Sequence, residues 1–189
     1  MSSGTSTPVS PTTNLTQWEI DPSHTSAHFG VRHMMVSTVR GEFTKVSGTV
    51  QIDARDLSRS SVHVVIDAAS INTRDPQRDA HLRSADFLDV DNHPTIEFDS
   101  TRIIRDSGSL KLVGDLTIRG VTREVTLDVE DAGVELKDPW GGVRRGASAK
   151  TRVNRKDFGL QWNVALEAGG FVVGDDVRIE IDVELVKKD

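Results

Sequence analysis

From Trp18 onward, apolar and polar residues alternate with a period of two, the pattern of strands with one face buried and the other wet. The clearest run lies between Asp175 and Val186. Val177, Ile179, Ile181, Val183 and Leu185 share one face, and Asp176, Arg178, Glu180, Asp182 and Glu184 share the other. A helix cannot produce that order. Ala27, Phe29 and Val31 alternate with His28, Gly30 and Arg32, and Val62, Val64 and Ile66 alternate with His63, Val65 and Asp67. Ile96 and Phe98 alternate with Glu97 and Asp99. Leu110, Leu112, Gly114, Leu116 and Ile118 fall on one face, and Val125, Leu127 and Val129 continue beyond a turn at Arg119-Gly120. Turn chemistry at Asp21-Pro22-Ser23, Asp106-Ser107-Gly108 and Asp138-Pro139-Trp140-Gly141-Gly142 separates the runs. The alternation slips by one at Lys45-Val46, close to Gly48, which predicts a bulge or bend in a long strand.

One stretch breaks the pattern. Residues 75–88 carry Pro76 near the first helical position, acids in the first turn, and apolar residues at Ala80, Leu82, Ala85 and Leu88, which predicts a short helix. The remaining runs make about eight strands with no strand–helix alternation, so the expected class is all-β, a barrel or sandwich.

Composition sharpens this picture. The chain has 189 residues, no Cys, no Tyr, six Phe and three Trp. Val, Ile and Leu must therefore fill most of the core. Disulfides, thiolate metal sites and Cys nucleophiles are excluded. A formal net charge of −6 argues against a nucleic-acid binder, whose phosphate contacts need a basic surface. The longest apolar run is three residues, as in Val64-Val65-Ile66, too short for a transmembrane helix or the core of a signal peptide. Residues 1–16 hold nine Ser or Thr, two Pro and no charge, and are expected to be a disordered tail without an address. The expected location is cytoplasmic, and the folded domain is expected to span 17–187.

Six local motifs occur in a recognisable order. They are Asp21-Pro22-Ser23-His24-Thr25 with Phe29-Gly30-Val31-Arg32-His33, the segment His81 to Asp89, and His93-Pro94-Thr95-Ile96-Glu97-Phe98. Gly114 to Thr122, Asn154 to Leu160, and Gly174 to Ile179 complete the series. Together they resemble the YceI-like family of polyisoprenoid-binding proteins over residues 17–186. The resemblance implies an eight-stranded antiparallel, lipocalin-like β-barrel with a short helix between strands. It also implies an elongated apolar cavity for a long isoprenoid or a related amphiphile, and a homodimer. A barrel of this size has room for its own side chains or for one slender ligand. Small inward residues such as Ala27, Ala147, Ala149 and Gly114 would leave that room.

The side chains expected to line such a cavity follow from strand parity. They are Ala27, Phe29, Val31, Phe43, Val64, Ile66, Ile96, Phe98, Leu116, Ala149 and Ile179, joined by Leu82 and Phe87 from the helical segment and by Trp162 and Phe171. Each ring could equally plug an end of the barrel. Residues 143–156 hold six basic residues and no acid. They either pair across strands with Glu180, Asp182 or Glu184, or meet an anionic head group or membrane surface, for which Arg144, Arg152 and Arg155 are the candidates.

Chemistry beyond binding finds little footing. His24 and His28 lie roughly 13 Å apart along a strand and cannot share an ion, and His33 has the opposite parity. Asp89 to His93 begins like a calcium loop, but Pro94 and Ser100 stand where Gly and Glu are required, so it is expected to be a helix-exit turn. No nucleophile elbow, phosphate loop or dinucleotide motif is present. The expected function is non-enzymatic storage or transport of a long-chain amphiphile, with no metal or cofactor and transient membrane contact. Segment 75–88 is the expected movable cover. The alternatives are a carrier of a fatty acid or quinone, and a stress-related interaction protein whose barrel is filled by its own side chains.

Overall fold

The computed structural model describes residues 15–167 and 169–188. The strands are β1 (Leu15–Ile20), β2 (Ser26–His33), β3 (Ser37–Phe43), β4 (Val46–Asp53), β5 (Ser61–Asp67) and β6 (Ile71–Asn72). After helix α1 (Pro76–Arg83) come β7 (Thr95–Asp106), β8 (Ser109–Ile118), β9 (Val121–Ala132), β10 (Leu136–Lys137), β11 (Val143–Asn154) and β12 (Val173–Lys187). Among the described residues no helix is long and apolar enough to cross a membrane.

These pieces form a closed antiparallel barrel of eight strand positions. β1 and β2 pair with successive stretches of β12, Ile20 opposite Leu185 and Ala27 opposite Ile181, so together they make one bent strand. β4 and β3 lie beside them, Val50 opposite Trp18 and Phe43 opposite Ala27. β5 and β6 follow in the same way, with Val62 opposite Val50 and Ile71 opposite Phe43. β7, β8, β9 and β11 continue the meander, each beside the one before. β11 then meets β12 from Arg144 opposite Val186 to Asn154 opposite Asp176, and the sheet is shut. β10 is a short appendage on β11.

The expected bend near Gly48 is where β3 gives way to β4. Thr44 N–H donates to Ser70 O and Lys45 N–H to Ser70 Oγ, so the chain leaves the ladder for two residues. Gly48 beyond it lets β5 approach closely, since a Cβ there would stand 2.2 Å from His63 O. β1 begins at Leu15. Thr16 Oγ1 donates to Ile52 O and accepts from Trp18 Nε1, which ties Leu15 and Thr16 into β1. The remainder of the expected tail, 1–14, lies outside the described residues.

α1 is shorter than the segment predicted to be helical. Asp75 caps it by accepting from the N–H groups of Gln77 and Arg78, and Pro76 opens it, as the sequence suggests. It stops at Ser84, whose φ and ψ of −70° and 172° are extended. Turns then carry the chain to β7, with His93 N–H donating to Asp89 O and the Asn92 amide to the Asp89 carboxylate.

Two apolar clusters organise the interior. Around α1, Phe158 and Phe87 pack with Leu88, Ile96, Phe98, Leu116 and Leu160. At the far end, Trp18, fully buried, packs with Ile20, Val50 and Leu185, and Lys187 Nζ lies 5.4 Å from its ring centroid. Gly114 serves this packing and opens no cavity of its own. A Cβ there would lie 2.5 Å from the ring of Phe98 and 2.4 Å from Asp99 O. Gly114→Ala is therefore expected to destabilise the barrel by about 1–3 kcal/mol through overpacking, read as a lower urea midpoint at unchanged slope. An unchanged midpoint would show that Phe98 can move aside.

Candidate ligand-binding cavity

Period two in every strand turns one apolar row inward, and the barrel has few large rings to fill the space those rows enclose. A cavity of about 970 Å³ runs along it, bounded by Leu57, Ser60 and Leu110 at one end and by Leu82, Phe87, Leu160 and Trp162 at the other. That volume is at the upper end of ordinary ligand pockets, about 300–1,000 Å³. The protein's own side chains do not fill the barrel.

Ala27, Phe29, Val31, Phe43, Val64, Ile66, Ile96, Phe98, Leu116, Ala149 and Ile179 all face the cavity, and so do Leu82, Phe87 and Trp162. Phe171 does not. It is 55% exposed, pairs through the isolated bridge to Ala165, and has Lys156 Nζ 5.9 Å from its ring centroid. Its position lies in a loop, where alternation carries no information about side.

The α1 end is stopped by rings. His81, Phe87 and Trp162 meet with centroids 4.7–5.3 Å apart, and the Nε2 of His81 is 2.9 Å from Asp86 Oδ2. Hydrogen bonds tie the segment expected to be a movable cover, 75–88, to its surroundings. Arg78 donates to the hydroxyl and carbonyl of Thr73, Arg83 to the carbonyls of Ala69 and Ile71, and Arg119 to Ala85 O. Buried Asp79 accepts from both the N–H and the hydroxyl of Thr73. Lifting α1 would break these bonds; the carbonyls near the surface would be rehydrated, and the cost of about 1–3 kcal/mol per buried group falls on the Thr73–Asp79 pair.

The three guanidinium groups read from charge alone as head-group candidates are engaged elsewhere. Arg144 bonds Asp21 Oδ2 at 2.7 Å, Asp138 Oδ2 at 2.8 Å and Glu184 Oε1, and is absent from the cavity wall. Arg152 faces outward, 4.0 Å from Asp176. Arg155 does touch the cavity, but its side chain is buried and committed: it donates to the carbonyls of Leu160, Trp162 and Gly174 and pairs with Asp175. Burial pushes its pKa down against the pull of Asp175. Lys150 pairs with Glu130 at 2.8 Å. His24 lies in the turn ahead of β2, and His28 and His33 lie in β2. Asp21, His24 and Glu184 bring ligand atoms within 4.8 Å of one another, but the Arg144 guanidinium already lies on the same two carboxylates.

Comparison with known proteins follows from this geometry. The profile of the YceI-like domain matches residues 18–185. The chain belongs to the YceI-like family. It is 38% identical over 170 residues to the UPF0312 protein SA2479 of Staphylococcus aureus (strain N315), covering 90% of this chain and 97% of that one. The crystal structure of Burkholderia cenocepacia BcnA superposes with a TM-score of 0.74 at 21% identity, over 87% of this chain and 98% of BcnA. A polyisoprenoid binding domain from Saccharophagus degradans superposes with a TM-score of 0.63 at 13% identity, over 90% of this chain and 98% of that domain. These two likenesses establish the shared barrel.

Two wall residues of this YceI-like barrel escape a reading by parity. Arg105 and Arg145 both line the cavity at the end opposite α1. Arg145 shares its face with Ala147 and Ala149, so its direction is legible once the strand is extended. Arg105 is hidden by a register shift between Ser100 and Arg102, which moves the inward row of β7 from even to odd numbers.

Arg144, by contrast, is a strut between the β1–β2 bend, β12 and the loop ahead of β11. Hydrogen bonds from His24, then Arg144 and the Ser23 N–H, hold the Asp21 carboxyl well below the usual carboxylate range. Arg144 is the main cause of a lowered pKa at Asp138 as well. Carboxyl groups depressed in the folded state contribute stability that is complete above their unfolded value, about 4, and that is lost as pH falls toward the folded values. Arg144→Met is expected to lower the urea midpoint at neutral pH, with the gap to the parent narrowing between about pH 5 and pH 3. A gap that stays constant across this window would mean that Arg144 acts through packing alone.

Proposed function

We propose that the barrel binds, stores or transports a long-chain isoprenoid or a similar amphiphile, without covalent chemistry. The single observation that carries this reading is the apolar cavity of about 970 Å³ running from the Trp18 end to the rings beside α1. Membership of the YceI-like family and the likeness to a domain described as polyisoprenoid-binding support it.

Energetics favour a long chain. Burying about ten methylenes at about 0.8 kcal/mol each contributes about 8 kcal/mol, against an association cost of about 4–15 kcal/mol. A short chain held by apolar contact alone would not stay bound. A fatty acid or quinone carrier would use the same wall, and chain length separates these readings. A filled barrel acting only through its surface fits poorly with the space left between the inward rows. Transfer at a membrane surface and a homodimer are further parts of the proposal, the homodimer taken from the family resemblance.

Mass spectrometry of an organic extract of the purified protein is expected to recover a long-chain amphiphile from more than one expression host. Ala149→Phe, which intrudes into the middle of the cavity, is expected to weaken binding of a twenty-carbon isoprenoid alcohol by about tenfold or more and that of a fifteen-carbon one by less. No extractable lipid together with no binding of either alcohol would sink the proposal.

A further inference from the structure

The cavity wall is mainly apolar, with charged residues toward its ends: Arg32, Arg78 and Arg155 toward α1, and Arg105, Glu130 and Arg145 at the opposite end. On β11 the inward row runs Arg145, Ala147, Ala149, Thr151, Val153, and each of these residues lines the cavity. Their neighbours Arg144, Lys150 and Arg152 face out toward acids. Arg145 sits opposite Leu185 in register, at the outermost part of β12. On β7 the bulge at Ser100 and Arg102 puts Ile103 and Arg105 inward, with Arg105 opposite Leu110 and Leu110 opposite Val129. The two guanidinium groups therefore crown the same mouth from strands on either side of β8 and β9.

Among the described residues, neither side chain has a hydrogen-bond or ion-pair partner. Arg78, Arg83, Arg119, Arg144 and Arg155, in contrast, are each fastened to carbonyls, hydroxyls or carboxylates. Among the described residues, the acids near this mouth have partners of their own, Asp56 beside Arg105 accepting from Ser58. Glu130 pairs with Lys150, Glu135 with Lys187, and Asp53 with Arg59 and the N–H groups of Arg55 and Asp56. A guanidinium presents a fork of donors matched to the oxygens of a carboxylate or phosphate. Arg105 is exposed and Arg145 half-buried at the rim, so both guanidinium groups are open to an anionic head that arrives at the mouth.

Resting on the proposed cavity function, we propose that Arg105 and Arg145 form the head-group subsite, selecting amphiphiles whose polar end is an anion, a phosphate or carboxylate. The chain then runs inward along Ile179 and Phe98 toward the ring stop at Phe87 and Trp162. Arg144, Arg152 and Arg155 take no part, being occupied by the protein's own carboxylates and carbonyls.

The test uses the full chain, stripped of lipid, and two probes with one tail: geranylgeranyl monophosphate and geranylgeraniol. The parent is expected to bind the phosphate at least about tenfold more tightly than the alcohol. That preference should shrink as salt screens the charges. Arg105→Gln with Arg145→Gln should remove the preference and leave alcohol binding within about twofold. Each single substitution should remove part of it, which keeps the test open if the double variant folds poorly. Palmitate against hexadecanol repeats the comparison for a carboxylate, and a charge preference in either pair supports the subsite. Equal binding of charged and neutral probes by the parent, or equal loss of both in the variants, overturns the subsite and leaves the cavity reading intact. Failure of all four probes to bind overturns both.

Discussion

β12 hydrogen-bonds along both edges at once, to β11 on one side and to β2 and then β1 on the other. Everything else in the fold depends on that double pairing. A sheet that ended at β11 would expose a row of unpaired backbone groups, whereas closure removes the edge and gives every strand a defined inside. The alternation in β12 is strict because each of its positions must serve either the interior or solvent. Val177, Ile179, Ile181, Val183 and Leu185 form the inner row, and acids and Arg178 form the outer one. The bends that split β1 from β2 and β3 from β4 let two long strands follow this curved surface without leaving it.

Closure creates a second constraint, because the ends of a barrel cannot be shut by more strand. This protein shuts one end with rings and fastens the ring-bearing segments with arginine. Arg83 and Arg78 hold α1 to the chain around β6, Arg119 holds the turn after it, and Arg155 gathers carbonyls from the loop that carries Trp162. The choice suits a chain without Cys and with few aromatics. A guanidinium has five donors and can satisfy several carbonyls that lack a ladder partner, where an apolar plug would leave them orphaned. The scarcity of rings and the abundance of committed arginines are thus two sides of one solution: rings concentrated at one end, cations tying that end down, and space preserved between.

The parts legible in the sequence are those set by local periodicity. The inward rows of β2, β5, β8, β9 and β12 follow from alternation alone, and the α1 start follows from Asp75 and Pro76. What was not legible depends on partners remote in sequence. Arg144 looks like a free cation until the fold brings Asp21 and Glu184 to it from opposite ends of the chain. Arg155 looks exposed until the loop before β12 wraps it. Arg105 is misread because one extra residue in β7 inverts parity beyond Ser100, and only the register with β8 reveals it. Phe171 and Gly114 fail for the opposite reasons, one lying where no strand sets its side, the other lying inward but already filled by Phe98.

The same distinction bears on selectivity. Between Val173 and Leu185 the inner row of β12, at about 3.3 Å per residue and a tilt of about 35–45°, spans roughly 30 Å along the barrel axis. A ring stop at one limit and a pair of unpaired cations at the other would make that distance a ruler. Apolar contact grows with every methylene added until the tail meets Phe87 and Trp162, and beyond that point each further carbon must push the head away from Arg105 and Arg145. Affinity against chain length should then rise to a maximum and turn over for anionic amphiphiles. For neutral ones, whose heads have nothing to lose at the mouth, it should only level off. The two ends of the cavity are then coupled through the ligand, because the ring-bearing end is held by the protein's own carbonyls, while Arg105 and Arg145 have no partner among the described residues.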